Sequence, residues 1–134
     1  METEIPWDQL LSSAWETRGR AHAPYSNFHV GAALLAADGR IFTGCNVENL
    51  SFGLTICAER VAIGSAIAAG AREFLALAVV ADTNEPISPC GACRQVMAEF
   101  GDFPVRASNR SGLTFEQPVS LWLPRGQTGI LDKM

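Results

Sequence analysis

Apolar residues recur at helical spacing near the start of the chain, at Trp7, Leu10, Leu11, Ala14 and Trp15. They follow Pro6, whose fixed φ and missing N–H suit a first helical position. Pro24 disfavours helix at Ala23, so this helix is expected to end between Gly19 and Pro24. Residues 30–37 are small and apolar throughout. Asp38-Gly39 reads as a two-residue hairpin connection, and residues 40–45 return as a second strand. Residues 58–69 predict a helix that stops at Gly70. Its apolar positions (Ala58, Val61, Ala62, Ile63, Ala66, Ile67) wrap most of the circumference, as in a central, buried helix.

Residues 74–81 form a continuous apolar run of strand length, which predicts a strand covered on both faces. In the next segment Cys93, Val96, Met97 and Phe100 fall at i, i+3, i+4 and i+7, so residues 90–100 are expected to be helical, with Gly101 as the stop. Residues 104–107 and the segment Val119-Ser120-Leu121-Trp122-Leu123 are two further short strand candidates. The order strand, helix, strand implies a right-handed parallel crossover. The pattern predicts an α/β fold, a three-layer α/β/α sandwich around a mixed sheet of about five strands.

At 134 residues the chain is long enough to bury roughly two-thirds of its unfolded surface, so one domain across 1–134 is expected to hold without a staple. Hydrophobic residues make up 48% and charged residues 18%, which excludes a disordered chain. Fourteen acidic residues oppose ten basic ones, of which one is a lysine, and the pI is about 5.1. That balance leaves no large basic surface, so neither nucleic acid nor an anionic membrane is expected as a partner. No stretch approaches the roughly 20 apolar residues of a membrane helix, and the acidic N-terminus lacks the layout of a secretory signal. A soluble, cytoplasmic protein is expected.

In a reducing compartment Cys45, Cys57, Cys90 and Cys93 read as metal ligands, redox thiols or core residues, not as disulfides. Cys57 opens one predicted helix, and Cys90 and Cys93 lie in the first turn of another. Both helices follow loops on the same edge of the sheet, so the three sulfurs are expected to converge. Helix N-termini favour thiolate over thiol. Thiolates at i and i+3 make one jaw of a zinc site and Cys57 the other, which leaves the fourth position open, as catalytic zinc requires. Glu59 is too close in sequence to Cys57 for a comfortable fourth ligand, but well placed to reach a water on the metal. A ligand, x-Glu and then Pro-Cys-x-x-Cys is the pattern of zinc deaminases, and it stands here as Cys57-Ala58-Glu59 and Pro89-Cys90-Gly91-Ala92-Cys93.

Zinc brings the pKa of bound water towards 7, and one positioned carboxylate can carry a proton from that water to a ring nitrogen and another to a leaving amine. Three thiolates would leave the site near −1, and Arg60 beside Glu59 is placed to donate to the sulfurs and restore the metal's electrophilicity. Cys45 reads as a small core residue, although as a fourth thiolate it would close the site and make the metal structural. A redox reading of Cys-x-x-Cys leaves Cys57 and Glu59 unexplained. His22 and His29 read as surface groups, Arg94 as a salt-bridge or capping residue, and Trp7 and Trp15 as core anchors.

From residue 23 to residue 100 the chain resembles the small, single-domain cytidine deaminases of pyrimidine salvage, in the cytidine/deoxycytidylate deaminase superfamily. The resemblance rests on Ala23-Pro24-Tyr25-Ser26-Asn27-Phe28, Val30-Gly31-Ala32-Ala33-Leu34, Gly44-Cys45-Asn46-Val47-Glu48-Asn49, Cys57-Ala58-Glu59-Arg60 and Ser88-Pro89-Cys90-Gly91-Ala92-Cys93-Arg94-Gln95. It implies one Zn2+ per subunit on Cys57, Cys90 and Cys93, with Glu59 as the catalytic proton shuttle and Arg60 supporting the sulfurs. Phe28 would pack against the pyrimidine, Asn46 and Glu48 would hold the ribose hydroxyls, and the backbone at Ala58 and around Ser88 to Cys90 would read the base edge. The implied reaction is hydrolysis of cytidine and 2′-deoxycytidine to uridine and 2′-deoxyuridine with release of ammonia, zinc-activated hydroxide attacking C4. A cytidine deaminase-like fold and a homotetramer, with sites completed by neighbouring subunits, come with it.

Two positions depart from that family. Phe52 stands where its members usually have Tyr, and Gln127 stands where an aromatic follows Leu-Leu-Pro, the segment reading Trp122-Leu123-Pro124-Arg125-Gly126-Gln127. Cover of the base by Ile130 or Leu131, or altered packing around Trp122, would shift preference towards a modified or bulkier cytosine nucleoside; a deaminase of a cytosine-containing antibiotic such as blasticidin S, which would share the zinc motif, is the alternative within the enzymes. A non-catalytic structural zinc protein is the alternative outside the enzymes.

Overall fold

A computed structural model of the chain describes residues 4–129. Its centre is a mixed five-stranded sheet in the order β2-β1-β3-β4-β5. The strands are β1 (Val30–Ala36), β2 (Ile41–Cys45), β3 (Phe74–Ala81), β4 (Pro104–Ser108) and β5 (Thr114–Pro118). β1 runs antiparallel to both β2 and β3, β3 is parallel to β4, and β5 closes the far edge antiparallel to β4. Helix α1 (Trp7–Arg18) covers one face; α2 (Ala58–Ala68) and α3 (Gly91–Glu99) cover the other. This is the three-layer α/β/α sandwich that the alternating pattern predicts.

Strand β1 is buried along its whole length, as a strand with helices on both faces must be. Leu34 points into the larger core beneath α2 and α3, and Leu35 into the smaller one beneath α1. A short α4 (Val119–Trp122) follows β5. Because β2 and β3 both oppose β1, they run parallel to each other, and the chain leaves both at the same edge of the sheet. The loop after β2 leads into α2 and the loop after β3 into α3, so the two helix N-termini meet at that edge.

Gly44 sets how closely α2 lies on β2. A Cβ there would stand 2.4 Å from the Ala58 carbonyl oxygen and 2.5 Å from the Ala62 nitrogen. Neither backbone atom can move without displacing the helix that carries Glu59. Gly44→Ala is expected to destabilise the protein by roughly 1–3 kcal/mol or more, as overpacking in a rigid core does. A thermal melt superimposable on the wild type would contradict this close approach.

Four local expectations are corrected. Residues 119–123 are not a strand: Val119 and Trp122 are buried while Leu121 between them is 62% exposed, which is helical and not strand spacing. Asp102 Oδ1 accepts the Ser120 N–H at 2.8 Å and caps that turn. The fifth strand is Thr114–Pro118, an exposed edge whose Glu116 pairs with Arg106 across to β4. Its sequence lacks alternation because neither face is deeply buried.

The hairpin after β1 has three connecting residues: Ala36 N–H bonds the Arg40 carbonyl, and Gly39, at φ +93°, bonds back to Ala36. Pro6 and Cys90 sit as N-caps, one position outside their helices. Trp7 and Trp15, as expected of core anchors, pack half-buried against the smaller core, with Arg106 4.3 Å over the first ring and Arg110 4.4 Å over the second.

Candidate active site

The meeting of α2 and α3 brings three sulfurs together. Cys57 is the N-cap of α2, Cys90 the N-cap of α3, and Cys93 lies in the first turn of α3. Their Sγ atoms all lie within 4.8 Å of one another, Cys57 to Cys90 at 3.7 Å and Cys90 to Cys93 at 3.3 Å. Two thiolates about 2.3 Å from a tetrahedral zinc stand roughly 3.8 Å apart, so this spacing fits that ion. The four cysteines are free, and Cys45 is not a member of the cluster. It sits on β2 opposite Gly31, half-buried, where burial pushes its thiol up. Neither His22 nor His29 belongs to a metal-type group among the described residues.

The electrostatics separate the sulfurs. Hydrogen bonding from Cys93, joined by Arg60 and Cys90, holds the Cys57 thiol down at about 5 against its desolvation. Cys93 is pushed up by the same pairing and by burial. Arg60 Nη2 stands 3.6 Å from Cys57 Sγ and 3.4 Å from the Thr55 carbonyl, which places its guanidinium against the sulfur. Glu59 is 3% exposed on the first turn of α2. Burial pushes its carboxyl up to about 7, and the charge of Cys57 pushes the same way.

A cavity of about 480 Å³ opens over this cluster. Cys57, Ala58, Glu59 and Cys90 form its floor; Phe28, Val30, Asn46 and Glu48 line it from the β1 and β2 side, and Thr55, Ile87 and Ser88 complete it. Each residue expected to bind substrate (Phe28, Asn46, Glu48, Ala58) therefore faces the same space as Glu59 and two of the sulfurs. Asn46 is buried, with Oδ1 accepting from Val30 N–H at 2.9 Å and Nδ2 donating to the Phe28 carbonyl at 2.7 Å. Glu48 Oε1 accepts from the N–H groups of Tyr25 and Ser26, and Oε2 from the Ser26 hydroxyl. These bonds, the hydroxyl first, hold its carboxyl below the usual range.

Sequence reasoning missed the walls at Thr55 and Ile87, which carry no pattern of their own, and the part played by Ser26. Arg94 takes the capping role expected of it, with no ion pair among the described residues: it donates to the Pro89 carbonyl, the Trp122 carbonyl and the Ser88 hydroxyl. Gln127 does not line the cavity over the cysteines; it lines a separate one of about 240 Å³ with Asp102, Ser120 and Arg125. Ile130 and Leu131 lie outside the described residues. Phe52 is 73% exposed, with its ring 6.0 Å from that of Tyr25.

Residues 6–107 match the family described as the cytidine and deoxycytidylate deaminase zinc-binding region. The chain is 52% identical over 119 residues to a cytidine deaminase of Sporosarcina psychrophila, an alignment covering 87% of this chain and 88% of that one. It is 51% identical over 117 residues to the cytidine deaminase of Halalkalibacterium halodurans, covering 86% and 89% of the two chains. The fold superposes on the crystal structure of cytidine deaminase from Burkholderia pseudomallei with a TM-score of 0.87 at 50% identity, over 90% of this chain and 98% of that one.

Proposed function

The chain belongs to the cytidine and deoxycytidylate deaminase family, and from that premise we propose that it hydrolyses cytidine and 2′-deoxycytidine to uridine and 2′-deoxyuridine, releasing ammonia. One observation carries the reading furthest: a three-cysteine cluster presents Cys57 and Cys90, with the buried Glu59, to the same cavity as Phe28, Asn46 and Glu48. Cys57, Cys90 and Cys93 would hold the zinc, which when bound would supply a Lewis acid that makes water nucleophilic near neutral pH. Glu59 then does the proton work. It takes one proton from the water that adds at C4 and passes it to N3, then takes the second proton from the resulting C4 hydroxyl and gives it to the exocyclic nitrogen, which leaves as ammonia while the C4 carbonyl forms. Arg60 and the N-terminal end of α2 offset the negative charge gathered on the sulfurs.

The polar groups fit a sugar hydroxyl. Asn46 has spent its oxygen on Val30 and one N–H on Phe28, so its second N–H remains to donate. Glu48 has accepted three donors and retains a lone pair on Oε2. A hydroxyl accepts from the first and donates to the second. The Phe28 ring, 43% exposed, offers the apolar face against which a pyrimidine packs.

We place the enzyme in cytoplasmic pyrimidine salvage as a homotetramer. Leu50, Phe52 and Leu54, 77%, 73% and 66% exposed next to the cavity wall at Thr55, make an apolar surface that a second copy of the chain would cover.

Purified protein with about one zinc per chain is expected to deplete the ultraviolet absorbance of cytidine. Free cytosine should react at least about a hundredfold more slowly, because its binding leaves Asn46 and Glu48 unpaired. Light scattering on the same sample is expected to give four chains. Stoichiometric zinc without turnover of either nucleoside would sink the proposed substrate, and a monomeric mass the proposed assembly.

A further inference from the structure

The turn leading into β1 contains a hydroxyl that ties together two residues lining the cavity, Glu48 and Phe28. Ser26 Oγ donates to Glu48 Oε2 and accepts the Phe28 N–H at 3.0 Å. Asn27, at φ +58°, reverses the chain so that the Phe28 N–H turns back onto that oxygen, and Asn27 N–H itself bonds the Ala23 carbonyl at 3.0 Å. Building on the activity proposed above, we propose that Ser26 is a positioning residue: its hydroxyl sets the rotation of the sugar-facing Glu48 carboxylate and the place of the base-facing Phe28 at once.

Each bond has a separate consequence. Glu48 Oε1 is anchored by two backbone donors, Tyr25 N–H at 3.0 Å and Ser26 N–H at 3.2 Å. Those two bonds fix one oxygen but leave the carboxylate free to pivot about it, since the terminal torsion of Glu is broad. The third bond, from the Ser26 hydroxyl to Oε2, selects one orientation and so aims the remaining lone pair. Phe28 is held from both sides, its N–H by Ser26 and its carbonyl by Asn46 Nδ2. Its ring is 43% exposed, so that backbone clamp, not burial, decides where the ring stands. A single hydroxyl thus orients both substrate-facing groups without touching the sulfurs or Glu59.

The test is steady-state kinetics on zinc-loaded enzyme with cytidine. Ser26→Ala is expected to raise KM about tenfold while kcat stays within about twofold, because ground-state and transition-state binding are lost together. Ser26→Thr, which keeps the hydroxyl, should restore KM to within about threefold of wild type. In a Glu48→Gln background the alanine change should cost clearly less than it does alone, since the carboxylate it aims is gone. An unchanged KM in Ser26→Ala, a threonine variant as impaired as the alanine one, or fully additive losses would each overturn the proposal. Should Ser26→Ala fail to fold, Ser26→Cys, which keeps the volume but has only a weak donor, is read by the same criteria. Absence of turnover in the wild type would instead remove the activity on which the proposal stands.

Discussion

Glu59→Gln is expected to cut turnover of cytidine by at least about a thousandfold while zinc content, melting temperature and KM change little. The amide has nearly the shape of the carboxyl, so the buried pocket on α2 stays filled. Glu59 is 3% exposed and its carboxyl is already pushed up by burial, so the neutral amide costs the fold no solvation. What disappears is the ability to take a proton and give it back. Both proton transfers in the proposed reaction use the same group, so no second carboxylate on the cavity wall takes over: Glu48 is the other acidic residue there, and it is committed to Tyr25 and Ser26. The readout is kcat from the ultraviolet assay, with metal analysis of the same sample. Turnover near the wild-type rate would remove Glu59 from the mechanism and leave the three thiolates without a proton shuttle.

How much of this was legible beforehand differs by element. The run from residue 30 to residue 37 and the run from 74 to 81 announced buried strands because both faces of β1 and β3 are covered, and coverage leaves a continuous apolar stretch. The convergence of Cys57, Cys90 and Cys93 was legible because two loops after parallel strands must open on one sheet edge. The last part of the fold was not. Strand β5 is an edge with both faces largely exposed, so nothing in Thr114-Phe115-Glu116-Gln117 repeats with period two. The α4 segment carries an apolar run too short for period alone to separate strand from helix, and the choice is made by what Val119 and Trp122 bury. Ser26 was visible as part of a turn, but its bonds to Glu48 cross 22 residues of sequence, and no local pattern reports them.

Loss of one sulfur is expected to have the other large effect. Cys90→Ser should reduce zinc from about one per chain to a small fraction at micromolar free metal, and activity should fall with it. Serine keeps the size of the side chain but offers a neutral hydroxyl in place of a thiolate, and Cys90 Sγ lies 3.7 Å from that of Cys57 and 3.3 Å from that of Cys93. The fold should survive in part, because the cores beneath α1 and beneath α2 and α3 are built from apolar side chains and not from the sulfurs alone. Cys45→Ser supplies the control. That thiol belongs to β2 and lies outside the cluster, so its replacement should leave both metal content and turnover near wild type. The pair of variants therefore separates a three-cysteine site with an open position from a closed four-cysteine site. If Cys45→Ser lost its zinc as Cys90→Ser does, the metal would be structural, and the cavity above it would have no reactive water to place against a substrate.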